Sequence, residues 1–273
     1  MTESGAVGMI HALVEKAIEN LVVSEQAMVI GSQPALRHAG LFNSGQRILL
    51  VGEGDLSFAR SLATSFGDGS NITATTFNSI SFVKKHFRDG SRNVQALKAL
   101  GATVLHKVDA TRANLEVTED VYVFNFPHPG WLDEPSRNRR GARFGDEKCD
   151  GQIQRHRDLL TGVFNNLRRL LPRSSTARVY ITTKVLGAVD DSASHRDMLN
   201  VPDVGRAGGF SLIEERSFSA STYPGYLNKY GVGKRPDYKL LIDESFPMGD
   251  AATRVFGLKA QYSDCGTTCR HFC

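Results

Sequence analysis

Several short segments of the 273-residue chain carry residue types that reactive sites use. The first is Gly52-Glu53-Gly54-Asp55-Leu56-Ser57-Phe58. Two glycines one residue apart allow a tight turn and a close approach of backbone to a ligand. The turn directly follows the apolar run Ile48-Leu49-Leu50-Val51, which is where a doubly wound sheet binds its cofactor. The acids Glu53 and Asp55 repel a pyrophosphate and receive an ammonium group. The expectation therefore moves from a nicotinamide dinucleotide to S-adenosylmethionine, which carries an amine and a cationic sulfur. Gly52, Glu53, Gly54, Asp55, Ser57 and Phe58 are the candidate cofactor contacts. Asn78 stands where an acid usually holds a ribose, and it can hydrogen-bond a hydroxyl as a neutral group. Asp109 can accept from an adenine amino group or cap the Ala110-Thr111 turn, and the sequence leaves both open.

The second segment is Asn125-Phe126-Pro127-His128. An amide, an aromatic ring and an imidazole are suited to holding and deprotonating a planar base. The ordinary histidine pKa, about 6.5, leaves His128 mostly neutral at physiological pH. Its alternative role is to orient the loop. Lys184 ends Thr182-Thr183-Lys184 and either stabilises an anionic oxygen or is simply solvated. The third segment, Tyr223-Pro224-Gly225-Tyr226-Leu227-Asn228-Lys229-Tyr230-Gly231, mixes rings, a cation and glycines. It reads either as a nucleic-acid contact or as a rigid turn.

These residues need a scaffold. The apolar, β-branched and aromatic runs predict strands over 48–51, 72–77, 104–108, 121–126, 177–183, 210–218 and 238–242. Helices are expected over 6–30, 56–66, 79–100 with a break at Asp89-Gly90, 153–171 and 192–200, with Asp55 capping the second. Alternation of this kind gives an α/β fold: a Rossmann-like, mostly parallel seven-stranded sheet with helices on both faces. The candidate residues then gather at the carboxyl edge of that sheet. The division is a helical extension and linker over 1–44, a catalytic domain over 45–246 and a tail over 247–273.

Composition excludes several classes. With 41% hydrophobic and 23% charged residues the chain is not generally disordered. Four cysteines are too few for a disulfide scaffold. No apolar run approaches the roughly 18 residues of a membrane helix, and no secretory signal is read at the N-terminus. Cys265, Cys269, Cys273 and His271 match no common zinc spacing, so no structural metal is expected. The net charge of +4 is uneven: residues 135–178 hold eleven basic and four acidic side chains, which leaves the rest of the chain at −3.

Taken together, Ile48 to Phe58, Val108-Asp109-Ala110-Thr111, Phe124-Asn125-Phe126-Pro127-His128 and Tyr223-Pro224-Gly225-Tyr226 resemble the eukaryotic large-subunit ribosomal RNA (uridine-N3)-methyltransferase family. The resemblance runs over about residues 46–243. It implies an S-adenosylmethionine-dependent enzyme methylating N3 of a uridine in ribosomal RNA. Other implied possibilities are a methyltransferase of another RNA base or of a small molecule, or a non-catalytic RNA-binding module. In the leading reading Asn125 holds the uracil edge and accepts from its N–H. Phe126 stacks on the base or lies under the adenine. His128 is the base, and Lys184 meets O2 or O4. Arg137, Arg139, Arg140 and Arg143 clamp the RNA backbone, because the guanidinium fork pairs with phosphate. Tyr223, Tyr226 and Lys229 contact single-stranded RNA. The chain departs from the family's pattern at Asn78, after His128 and at His156. A monomer in the nucleus or nucleolus is expected, with the cytoplasm as the alternative.

Overall fold

The computed structural model describes residues 14–19, 35–112, 120–129, 147–172, 174–185, 199–229, 243–245 and 248–259. Two compact units divide the chain, Met1–Leu36 and Arg37–Cys273. In the first, residues 14–19 form helix α1. The remainder of the expected helix over 6–30 lies outside the described residues. The second unit begins before the expected boundary at residue 45. A hairpin of β1 (His38–Ala39) and β2 (Phe42–Asn43) opens it and sends Ala39 and Phe42 into the core.

Seven strands form the main sheet: β3 (Ile48–Leu50), β4 (Ile72–Thr76), β5 (Thr103–His106), β6 (Val121–Asn125), β7 (Arg178–Lys184), β8 (Phe210–Ser217) and β9 (Ala251–Leu258). Their order is β5-β4-β3-β6-β7-β9-β8. The first five in that order run parallel, and β9 runs antiparallel to both β7 and β8. The helices are α2 (Ser57–Phe66), α3 (Ile80–His86), α4 (Gly90–Ala99), α5 (Glu147–Leu170) and α6 (Val201–Ala207). The expected α/β class is thus present.

Side-chain alternation explains the layers. Ile48 and Leu50 of β3, with Val121 and Val123 of β6, face the core shared with Phe58 and Leu62 of α2 and Leu97 of α4. Leu49, Tyr122 and Phe124 point the other way, onto Leu160, Val163 and Phe164 of α5. A strand buried on both faces has no polar side, which is why β3 and β6 read as continuous apolar runs. After β3 the chain steps to β4 on one side and later to β6 on the other. The crevice that this reversal opens lies at the carboxyl ends of β3 and β6.

One expectation is corrected. The expected strand over 238–242 lies outside the described residues, and the seventh strand is β9, inside the segment read as a tail. Its Ala-rich start and buried Arg254 hide it in the sequence. That arginine is compensated by Glu215 at 2.7 Å and the Thr183 hydroxyl at 2.8 Å. Most of the helix expected over 192–200 lies outside the described residues, and α6 starts just after it at Val201, with Pro202 in its first turn. The break inside 79–100 is present, between α3 and α4.

Candidate active site

The turn leaving β3 is sterically defined. Gly52 has a φ of 67°, and a Cβ there would stand 2.5 Å from the Phe124 ring. No side chain fits that position. Gly54 meets nothing closer than 3.5 Å, so its role in admitting a ligand is open approach rather than forced conformation. The Glu53 amide donates to the Thr75 carbonyl at 2.9 Å, fixing the turn against β4. The Glu53 side chain folds back on α2 and accepts from the Ala59 amide at 3.3 Å. Enclosure of the carboxyl pushes its pKa up to about 8. The Ala59 and Phe58 amides oppose that rise, and the Asp55 charge adds to it. At neutral pH this carboxyl is mostly protonated.

Asp55, Ser57 and Phe58 differ from their expected roles. Asp55 is buried and accepts from the Ser57 amide at 3.0 Å, but the N-cap of α2 is Leu56 rather than the expected Asp55. Its other oxygen faces Lys229 at 3.1 Å. The Ser57 hydroxyl donates to the Leu227 carbonyl at 3.2 Å, and the Leu227 amide returns at 3.3 Å. Phe58 is a core residue, packed against Phe42, Tyr223 and Tyr226. None of the three side chains is left for a cofactor.

The same bonds reassign the segment 223–229. It is a strap laid over the glycine turn. Tyr223 is buried, stacked on Phe218 at 5.6 Å and lying where a Cβ on Gly40 would be. Gly225, at φ 82°, gives its carbonyl to Arg60 at 3.2 Å. Tyr226 lies edge-on to Phe58 and donates its phenol to Asn228 at 3.2 Å. Burial, then Glu53 and Asp55, drive that phenol's pKa upward, which places it beside both acids. The Lys229 side chain is 8% exposed and pairs with Asp55 and Asp243, with Asp89 at 3.9 Å. The rings and the cation expected to meet RNA are therefore spent inside the protein. Many aromatic and polar groups in a row looked like an interface because a buried strap needs the same residue types.

At the end of β4, Asn78 is half-buried, and its carbonyl accepts from the Thr76 hydroxyl at 2.8 Å. Its neighbour Phe77 is 66% exposed. Asp109 takes the capping role: it accepts from the Thr111 amide at 2.9 Å and hydroxyl at 2.6 Å, with Arg112 at 3.1 Å. Partial burial works to raise its pKa, but those hydrogen bonds and Arg112 hold it below the usual carboxylate range.

The end of β6 carries the strongest chemistry. Asn125 pairs with Thr182 of β7 in register, and its side-chain oxygen accepts from the Thr182 hydroxyl at 2.7 Å. Its amide nitrogen is buried and without a hydrogen-bond partner. One lone pair of the oxygen is thus used, and the nitrogen is a donor still open to a ligand. Phe126 follows at φ 47°, a left-handed backbone that bulky residues rarely adopt. Its amide is held by the Thr182 carbonyl at 2.8 Å, and its ring is edge-on to Phe218. Pro127 is buried, whereas His128 keeps solvent exposure. The His128 ring meets His156 of α5 edge-on at 5.1 Å. Crowding around the ring, then His156 and Arg155, pull its pKa down to about 4. Lys184 ends β7 opposite Ala251 and is half-buried.

Two contributors lacked a recognisable signal. Thr182 is one of many strand threonines, and only the register reveals its hold on Asn125. His156 sits one helix away in sequence, and its Nδ1 bonds the Gln152 carbonyl at 2.8 Å. Arg137, Arg139, Arg140 and Arg143 lie outside the described residues. Of the other arginines in 135–178, Arg155 and Arg157 give nitrogens to the carbonyls of Pro129 and Leu199.

Residues 49–230 match the family described as rRNA (uridine-N3-)-methyltransferase BTM5-like. The chain is similar to Heavy metal-associated isoprenylated plant protein 41 of Arabidopsis thaliana, 35% identical over 74% of this chain and 36% of that protein. It is also similar to an uncharacterized Arabidopsis thaliana protein, 31% identical over 82% of this chain and 97% of the relative. The chain thus spans about a third of the first relative, from its 36% coverage, and nearly all of the second. Among solved structures, a TehB-like SAM-dependent methyltransferase from Corynebacterium glutamicum aligns with TM-score 0.42 and 15% identity, over 88% of this chain and 97% of that one.

Proposed function

The chain belongs to the rRNA (uridine-N3-)-methyltransferase BTM5-like family, and we propose that it transfers a methyl group from S-adenosylmethionine to N3 of a uridine in large-subunit ribosomal RNA. One observation carries the reading. At the end of β6 an amide nitrogen without a partner stands three residues before an imidazole held unprotonated.

Uridine N3 bears a proton, and its lone pair is delocalised into two flanking carbonyls. Loss of that proton pushes negative charge onto O2 and O4, and N3 then attacks the methyl carbon as the carbon–sulfur bond breaks. A fixed donor at one of those oxygens meets charge that grows towards the transition state, where it lowers the barrier most. Asn125 supplies that donor, and Lys184 a cation for the other oxygen. His128 accepts the proton. With a pKa of about 4 it is a weak base, so proton removal depends on the donors at O2 and O4 that stabilise the resulting anion. Its exposed edge then releases the proton to water. Phe126 provides aromatic surface beside the base.

The bound cofactor supplies the electrophilic methyl group. The residues present suit it: the exposed turn at Gly52 and Gly54, the Glu53 carboxyl without a cation among the described residues, and Asn78 for a ribose hydroxyl. Arg137, Arg139, Arg140 and Arg143 hold the RNA backbone, and the nucleolus, where ribosomal RNA is made, is the place of action. The test is incubation of the purified chain with labelled S-adenosylmethionine and ribosomal RNA, followed by nucleoside mass spectrometry. The expected product is 3-methyluridine, absent with Asn125→Ala. No label in RNA, or label in another nucleoside, overturns the reading.

A further inference from the structure

We infer that the strap is part of the cofactor site, with the Asn228 side-chain nitrogen donating to the carboxylate of the cofactor's methionine end. This rests on the S-adenosylmethionine reading above.

Asn228 is the one residue of the strap whose neighbours on both sides are pinned to the glycine turn. Leu227 exchanges two hydrogen bonds with Ser57, and Lys229 pairs with Asp55. The side chain between them has little freedom. Its oxygen accepts from the Tyr226 phenol at 3.2 Å, which fixes the amide plane and leaves the nitrogen as the outward donor. That nitrogen is buried and has no hydrogen-bond partner. A buried donor without an acceptor is unfavourable, and native proteins rarely keep one unless something else fills the position.

An opposite deficit lies on the same rim. Glu53 has no ion-pair partner among the described residues, whereas Asp55, two positions on, has Lys229. The Tyr226 phenol is bonded to Asn228 and lies within electrostatic reach of Glu53. So an acid lacking a cation and a donor lacking an acceptor share one phenol as neighbour. A zwitterionic amino acid answers both, its ammonium to Glu53 and its carboxylate to Asn228. A nucleotide phosphate answers only the second and is repelled by the first.

The inference separates ligands that have this end from those that lack it. Isothermal titration of the full chain compares S-adenosylhomocysteine, which keeps the amino-acid end, with 5′-methylthioadenosine, which has neither of its charged groups. Asn228→Ala is expected to weaken S-adenosylhomocysteine by roughly ten- to a hundredfold, as for a lost bond to a charged group, and to leave methylthioadenosine unchanged. Asn228→Asp keeps the size and the acceptor for Tyr226, so it preserves the strap. It is expected to weaken S-adenosylhomocysteine further by charge repulsion. Equal loss for both ligands, or no loss for either, overturns the inference and leaves the cofactor reading standing. Failure of the unsubstituted chain to bind S-adenosylhomocysteine overturns both.

Discussion

The Thr182 hydroxyl donates to the Asn125 side-chain oxygen at 2.7 Å, so the amide at the end of β6 is oriented from the neighbouring strand. Thr182 has one proton to give, and Asn125 takes it. The Thr253 hydroxyl, 2.9 Å from Thr182, must then be the donor of the next link. Strands β9, β7 and β6 thus set the direction of one amide through two hydroxyls. Thr182→Val keeps the shape and removes the link. It is expected to cost about 1–3 kcal/mol of stability. It should lower kcat by roughly a hundredfold through misplacement of the amide, with cofactor affinity unchanged. Denaturant titration and steady-state kinetics read the two separately, and an unchanged kcat rejects the coupling.

His128 is expected to titrate near pH 4, against about 6.5 for an unperturbed ring. Between those values the unfolded chain binds a proton that the native chain does not. Stability contributed by this ring is therefore lost as pH falls through about 4 and is complete above about 6.5. In the rate profile, the acid limb due to His128 belongs near pH 4 to 5. His128→Gln should erase that limb. A limb at pH 6.5 in the unsubstituted enzyme assigns the proton transfer to another group.

Glu53 has the opposite sign. Its pKa rises from 4.5 to about 8, so across that window the native chain holds a proton that the unfolded chain has released. Stability accordingly falls as pH climbs from 4.5 towards 8 and levels off beyond. Glu53→Gln is expected to flatten this slope and to raise Tm more at pH 8 than at pH 5. Melting curves at the two pH values decide it. In titration calorimetry at pH 7, cofactor binding to the unsubstituted chain should release a proton, visible as a dependence of heat on buffer, and the variant should lose that dependence.

Lys229→Met leaves Asp55 and Asp243 facing each other without their shared cation. Breaking a buried pair on one side costs about 3–5 kcal/mol, so a large drop in denaturant midpoint is expected. RNA binding measured below the unfolding range should keep its salt dependence. A shallower slope with normal stability would return Lys229 to the RNA contact read from the sequence.

Charge reversal at Arg139 and Arg140 tests the arginine-rich stretch. Each phosphate contact removed lowers the slope of log affinity against log salt by about 0.7 on single-stranded RNA. Weaker binding with a flatter slope is expected from filter binding across a salt series. Unchanged affinity excludes these two arginines from the clamp.

Sequence reading reached the sheet because buried parallel strands advertise themselves. Ile48 to Val51 and Val121 to Phe126 are apolar on both faces and admit few other readings. It reached Gly52 and Asn125 because strand ends have fixed addresses in such a fold. It failed where the determining contact is distant. Asp55 and Ser57 look like ligands until Lys229 and Leu227 arrive from 170 or so positions away. Tyr223 looks like a stacking platform until Gly40 offers it a seat. Strand β9 escaped because a central antiparallel strand lined with alanines and one compensated arginine has no apolar run to show.

The position of β9 also bears on when the sheet closes during synthesis. Among the described residues it is the last strand in chain order, yet it lies between β7 and β8, which precede it. Until Leu258 has emerged, β7 and β8 lack the strand that joins them, and Thr182 lacks the Thr253 hydroxyl that hydrogen-bonds it. Long-range pairing of this kind is slow and exposes strand edges while it waits. A nascent chain can therefore fold its glycine turn early, while β8 still waits for β9 to join it to the sheet.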